Sequence, residues 1–163
     1  RVSVDPATLP YRPCAGVMLV NAAGQAFVGQ RMDTVLEAWQ MPQGGIDPGE
    51  DAEEAARREL GEETGIAPEH VELVARGDRE LFYDIPPEMI GKVWKGKWRG
   101  QRQWWFLLRF TGRDSDVHID TAHPEFRAWR WIDPEELPSL AVPFKRALYE
   151  DVLAMFRPHL RGG

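Results

Sequence analysis

The chain has 163 residues, enough for one well-buried domain and too few for two of usual size. Hydrophobic residues make up 43% and charged residues 28%, and no apolar run approaches the roughly 20 residues of a bilayer-spanning helix, so no membrane partner is expected. The net charge of −6 argues against a general nucleic-acid binder, DNA included, because such proteins draw most of their affinity from a basic surface. An anionic substrate must instead be met by local positive charge and by metal.

Cys14 is the one cysteine, so no internal disulfide can form. Its apolar surroundings point to a packing role in a reducing, cytoplasmic setting. No secretory leader is visible; the chain starts at Arg1 rather than Met, so a few preceding residues are expected and a short targeting segment is left open.

In chain order, Cys14 to Val20 reads as a buried strand, Asn21 to Gly24 as a turn, and Gln25 to Gln30 as the hairpin partner. A helix is expected from near Glu50 to Gly65, with Ala52, Ala55, Ala56 and Leu60 as its buried stripe. Glu80 to Ile85, Gln103 to Phe110 and Phe126 to Ile132 are aromatic and aliphatic enough for strands. Asp133 and Pro134 open a short helix to Leu137, and Pro143 to Phe156 forms a longer amphipathic one. Strands and helices mix without regular βαβ alternation, and no linker or repeat divides the chain. The expectation is a single α/β domain over 1–163 with a mixed sheet.

Between Gly44 and Ile66 the chain reads GGIDPGEDAEEAARRELGEETGI. Glu59, Glu62 and Glu63 fall at i, i+3 and i+4, on neighbouring points of one helical face. Like charges so placed repel, and a divalent cation removes the repulsion. With hard carboxylate oxygens and neither Cys nor His in the stretch, Mg2+ or Mn2+ is expected rather than zinc. The alternative is a solvated acidic helix. Its flanks argue otherwise, since Gly44, Gly45, Pro48 and Gly49 make a tight loop whose backbone can approach a ligand.

Gly44, Glu50, the run Arg58-Glu59-Leu60, the pair Glu62-Glu63 and the pair Gly65-Ile66 match the Nudix hydrolase signature at every defined position, so the chain resembles that family. The resemblance implies an α/β/α sandwich and metal-dependent hydrolysis of a nucleoside diphosphate linked to another moiety. It implies that Glu59, Glu62 and Glu63 are metal ligands, with the Gly45 carbonyl as another, and that Glu50 and Arg58 form a bracing ion pair. The flanks Tyr11-Arg12-Pro13, Trp39 to Gln43, Gly100 to Phe106, Pro124-Glu125-Phe126 and Pro143 to Arg146 resemble one branch of the family, the bacterial RNA pyrophosphohydrolases and the related dinucleoside polyphosphate hydrolases. That likeness runs from about Tyr11 to Phe156, with Trp104 standing where relatives often carry a basic residue. It implies a catalytic and metal-facing role for Glu125, and places Gln43 among the substrate-binding residues.

Arg12 and Arg31 suit phosphates, because a guanidinium offers a planar fork of donors, although a solvated surface charge is the other reading. Phe144 beside Lys145 offers a stacking face next to positive charge, or equally a core contact. Lys92 to Arg102 is the most basic run, interleaved with Trp94 and Trp98. It suits nucleic-acid binding, or else tryptophans that pin a loop beneath solvated lysines.

The expected chemistry is attack by water with Glu63, Glu59 or Glu125 accepting its proton. The substrate is 5′-triphosphorylated RNA, with a dinucleoside polyphosphate such as diadenosine tetraphosphate as the alternative. A third reading, a Nudix fold that binds nucleotide or RNA without turnover, is disfavoured by retention of all three glutamates.

Overall fold

The computed structural model describes residues 5–33 and 37–160. Seven strands form one sheet: β1 (Tyr11–Val20), β2 (Ala26–Arg31), β3 (Gln43–Gly45), β4 (Val71–Arg76), β5 (Leu81–Asp84), β6 (Gly100–Phe110) and β7 (Phe126–Ile132). The order is β4-β6-β1-β2-β7, with β3 beside β1 and β5 beside β6. Among the described residues only β1 and β6 run parallel; the other pairs are antiparallel, so the sheet is mixed.

Two apolar layers clothe this sheet because side chains alternate along the strands. Met18 and Val20 of β1 face the same way as Trp105 and Leu107 of β6, where they meet Tyr149, Val152 and Phe156 of α3 (Arg146–Leu160) and Leu137 of the short α2 (Leu137–Leu140). Ala15, Val17 and Leu19 face the opposite way with Phe106 and Leu108, against Ala55, Ala56 and Leu60 of α1 (Ala52–Thr64). The result is the α/β/α sandwich. No helix of the described residues is long and apolar enough to cross a membrane.

Several expected boundaries shift for identifiable reasons. β1 begins at Tyr11 rather than Cys14, since residues 11–13 already pair in register with β6 from Gly100. α1 starts at Ala52 rather than near Glu50: Asp51 caps it, its side chain accepting from the Glu54 N–H while Glu54 returns a bond to the Asp51 N–H. Gly65 closes it with φ 68°, a left-handed position that suits glycine. The expected Pro143 helix opens as a 3-10 turn over Pro143–Lys145 before α3, and α3 itself runs on to Leu160. β4 was not expected from the sequence. It is paired with β6 and only partly buried, so it lacks the apolar density of its neighbours.

Candidate active site

Gly44 and Gly45, expected in a loop, pair with β1 as strand β3, and the acidic helix packs against them. β3 hydrogen-bonds alongside β1, and α1 returns across it, so that Gly44 lies under Glu59: a Cβ at Gly44 would stand 2.1 Å from the Glu59 Cδ. A Cβ at Gly45 would stand 2.5 Å from Nη2 of Arg12. Both glycines therefore allow a charged side chain to lie directly on the backbone.

Arg58 braces this arrangement. Its Nε and Nη2 donate to the two Glu50 oxygens, each at 2.8 Å, and Nη2 also donates to the Gly45 carbonyl at 2.9 Å. Its Nη1 reaches Glu59 at 2.8 Å and, more distantly, Glu62 at 3.3 Å. The guanidinium holds the Glu50 carboxyl down at about 2, with a loop N–H from Asp47 assisting. The ion pair implied by the family resemblance is thus present, and it ties loop to helix.

Glu63 is 3% exposed and hydrogen-bonded to Glu59 one turn earlier. Burial, then the charge of Glu59, pushes the Glu63 carboxyl well above its ordinary range, and burial raises Glu59 too. Two carboxyls so close do not both ionise readily. The backbone N–H of Gln43 also bonds to Glu63, which tempers the rise. Glu125 is exposed, yet its charge is felt by both Glu63 and Arg31. The pairing of β2 with β7 brings this about. The register shifts at Gln30/Arg31, and the Met32 N–H donates to the Glu125 carbonyl at 2.9 Å, so Arg31, the last residue of β2, and Glu125, just ahead of β7, lie together at the end of this strand pair. Glu62 stands apart, its side chain 58% exposed and turned to Arg58.

Among the described residues, no three Asp, Glu, His or Cys side chains are already gathered as a metal cage. The donor set nevertheless fits a hard divalent cation: it is all oxygen, it includes a carboxylate pair, Glu63 buried and Glu59 half-buried, whose mutual repulsion a dication would discharge, and the Gly45 carbonyl at the end of β3 lies near it.

Beside the carboxylates opens a cleft of about 660 Å³, lined by Arg31, Trp39, Tyr83, Trp94, Phe144 and Lys145 among others. Phe144 and Tyr83 lie 5.9 Å apart, tilted by 36°, and the Lys145 Nζ sits 5.3 Å from the Tyr83 ring. Burial, then repulsion from Arg31, pushes Lys145 down to about 8. Arg31 donates through Nε to Asp33 at 2.7 Å. Of the expected site residues, Arg31, Phe144 and Lys145 line this cleft; the charge of Glu63 acts on Arg31 and Lys145, Glu59, Gln43 and Glu125 gather about Glu63, and Arg12 lies by Gly45.

The family comparison bears on the same residues. The NUDIX domain matches residues 10–152, from the start of β1 into α3. The chain belongs to the Nudix family. It is 64% identical over 155 residues to a protein named RNA pyrophosphohydrolase from Sphingopyxis alaskensis, covering 95% of this chain and 98% of that one. A protein of the same name from Cereibacter sphaeroides is 60% identical over 158 residues, covering 97% and 98%. Among solved structures, a C. elegans Ap4A hydrolase superposes with a TM-score of 0.63 at 25% identity, covering 92% of this chain and 98% of that one. An E. coli dihydroneopterin triphosphate pyrophosphohydrolase gives 0.68 at 22%, covering 89% and 98%, a likeness of fold.

This Nudix chain also has residues near the site whose individual roles its sequence did not disclose. Tyr83, Trp39 and Tyr149 line the cleft. Gln103 is fully buried; it accepts from Trp105 at 2.9 Å and donates to Gln101 at 2.7 Å and to Gln43 at 3.3 Å, so an amide chain steadies Gln43. The signal was available: two glutamines two apart on one face of an otherwise apolar strand. Trp104 packs half-buried against the α1 side of the sheet.

Proposed function

We propose that this chain, acting as one domain over 1–163, is a cytoplasmic, divalent-metal-dependent hydrolase that removes pyrophosphate from the 5′ end of triphosphorylated RNA. The observation that carries it is the meeting of paired carboxylates, Glu63 buried and Glu59 half-buried, with Arg31 and Lys145, which line an aromatic cleft, and with Arg12 beside Gly45. That combination suits a polyphosphate joined to a base. The names of relatives at 60% and 64% identity support RNA as the substrate.

Mg2+ or Mn2+, held by Glu59 and Glu63 with Glu62, Glu125 and the Gly45 carbonyl, would neutralise the phosphates and acidify a bound water. The remaining chemistry belongs to side chains. Arg12, Arg31 and Lys145 bind phosphate oxygens that the carboxylates cannot approach. Gln43, steadied by Gln103, lies beside Glu63. Phe144 and Tyr83 face the base. One of Glu63, Glu59 or Glu125 accepts the proton of the attacking water, and a carboxylate raised by burial is well matched to that task near neutral pH. Arg58 holds the Gly45 carbonyl and Glu59 in position, so that catalysis rests on positioning and charge stabilisation.

Hydrolysis of dinucleoside polyphosphates is the second reading, favoured by the C. elegans Ap4A hydrolase likeness. Rates on 5′-triphosphorylated RNA and diadenosine tetraphosphate, compared under one metal condition, separate them. The RNA should be the better substrate; a large preference for the dinucleotide would reverse the order.

A further inference from the structure

The loop between β5 and β6 carries exposed cations that neither catalysis nor the core explains. Over Gly91 to Gly96 four residues take positive φ: Gly91 at 83°, Trp94 at 52°, Lys95 at 59° and Gly96 at 72°. For the glycines this is easy, but for tryptophan and lysine side by side it is a strained backbone, tolerated where surrounding contacts over-determine it. What it achieves is visible on either side of the chain. The Trp94 ring turns inward, packs against the α3-side core and lines the cleft that Phe144 and Lys145 also line, while Lys95 turns out to solvent.

Lys92, Lys95 and Lys97 are all exposed, and none has an ion pair or side-chain hydrogen bond among the described residues. The nearby arginines differ. Arg99 pairs with Asp84 at 3.3 Å and lies over the Tyr11 ring at 4.8 Å, and Arg102 pairs with Glu80 at 3.0 Å. In a chain of net charge −6, three adjacent unpaired cations on a loop whose other face lines the substrate cleft form a local positive surface. Its chemistry is that of single-strand binding, a ring for a base and cations for successive phosphates.

We infer that the Gly91–Lys97 loop is a binding site for the RNA strand, in which Trp94 contacts a base in the cleft and Lys92, Lys95 and Lys97 take the phosphates of the nucleotides that follow. This rests on the RNA reading given above and extends it from the 5′ end to the body of the strand. A duplex is not the fit, because the ring and the cations address an unstacked chain.

The test is direct binding of 3′-labelled, 5′-monophosphorylated RNA, a dinucleotide and an oligonucleotide of about 12 residues. It compares wild type, the combined variant Lys92→Ser, Lys95→Ser and Lys97→Ser, and Trp94→Gly. Glycine accepts the same backbone without the ring. Wild type should bind the longer RNA at least about tenfold more tightly than the dinucleotide at low salt. In the lysine variant the two affinities should converge, and the slope of log affinity against log salt should fall by about 2. Trp94→Gly should weaken both RNAs. A lysine variant that keeps the wild-type length preference, or a wild type with no such preference, overturns the proposal; so does Trp94→Gly binding as wild type does. Hydrolysis of triphosphorylated RNA by the wild type is scored separately. Its absence alongside an intact, lysine-dependent length preference would sink the RNA-end reaction and leave the strand site standing.

Discussion

Replacing Lys145 with Met exchanges a buried ammonium for an apolar chain of similar length, and it should stabilise the protein at neutral pH while impairing phosphate binding. Lys145 is only 8% exposed, and burial, then Arg31, holds it at about 8 rather than 10.5. That difference corresponds to about 3 kcal/mol of strain in the charged folded state. Loss of the ammonium contact with the Tyr83 ring at 5.3 Å gives back about 0.5–2 kcal/mol. The net gain of about 1–2.5 kcal/mol should appear as a Tm increase of about 2–10 °C in a chain of this size. The pH dependence fixes the cause. Below pH 8 the ammonium is charged in both states and the penalty is complete. Between about 8 and 10.5 the unfolded chain binds more protons than the folded one, so wild-type stability rises towards that of the variant. Thermal unfolding of both proteins, followed by circular dichroism with chelator from about pH 6 to about pH 10, reads this difference directly. A variant less stable than wild type at pH 7, or an advantage that does not shrink as pH rises, would refute the reasoning.

Glu63→Gln should lower turnover by at least about 100-fold with metal present, without lowering the Tm measured in chelator, because the carboxyl it replaces is already disfavoured by burial. Gly44→Ala puts a methyl 2.1 Å from the Glu59 Cδ, and since the carboxylate end can swing aside, kcat should fall by about 10–100-fold while the fold persists. An unchanged kcat would show that Glu59 does not need that seat. Tyr149→Phe strips the buried Met41 N–H of its acceptor at 2.8 Å and should cost about 1–3 kcal/mol in denaturant unfolding.

Local chemistry made much of the molecule readable in advance. Phe126–Ile132 has the strand bounds its alternation indicates, and the stripe of Ala55, Ala56 and Leu60 is the buried face of α1. The Glu50–Arg58 pair is present as the resemblance to the Nudix signature implied. What escaped depends on partners far along the chain. β4 is legible only through its pairing with β6, and the cleft walls Trp39, Tyr83 and Tyr149 come from three separate segments. The approach of Glu125 to Arg31 and Glu63 required the irregular β2–β7 register, which no local periodicity encodes. The basic run divided in a way its composition could not reveal: its arginines are paired, whereas its lysines are exposed and Trp94 faces the cleft. Glu62 shares a helical face with Glu59 and Glu63, yet it is drawn off by Arg58.

The account stands or falls on what leaves the RNA. Wild-type protein should be incubated with RNA carrying a labelled γ-phosphate at its 5′ end, with Mg2+ in one arm and chelator in the other, and the labelled product separated. Labelled pyrophosphate together with 5′-monophosphorylated RNA, formed only in the Mg2+ arm, is the predicted result. No pyrophosphate release in the Mg2+ arm, or release undiminished by the chelator, would contradict it.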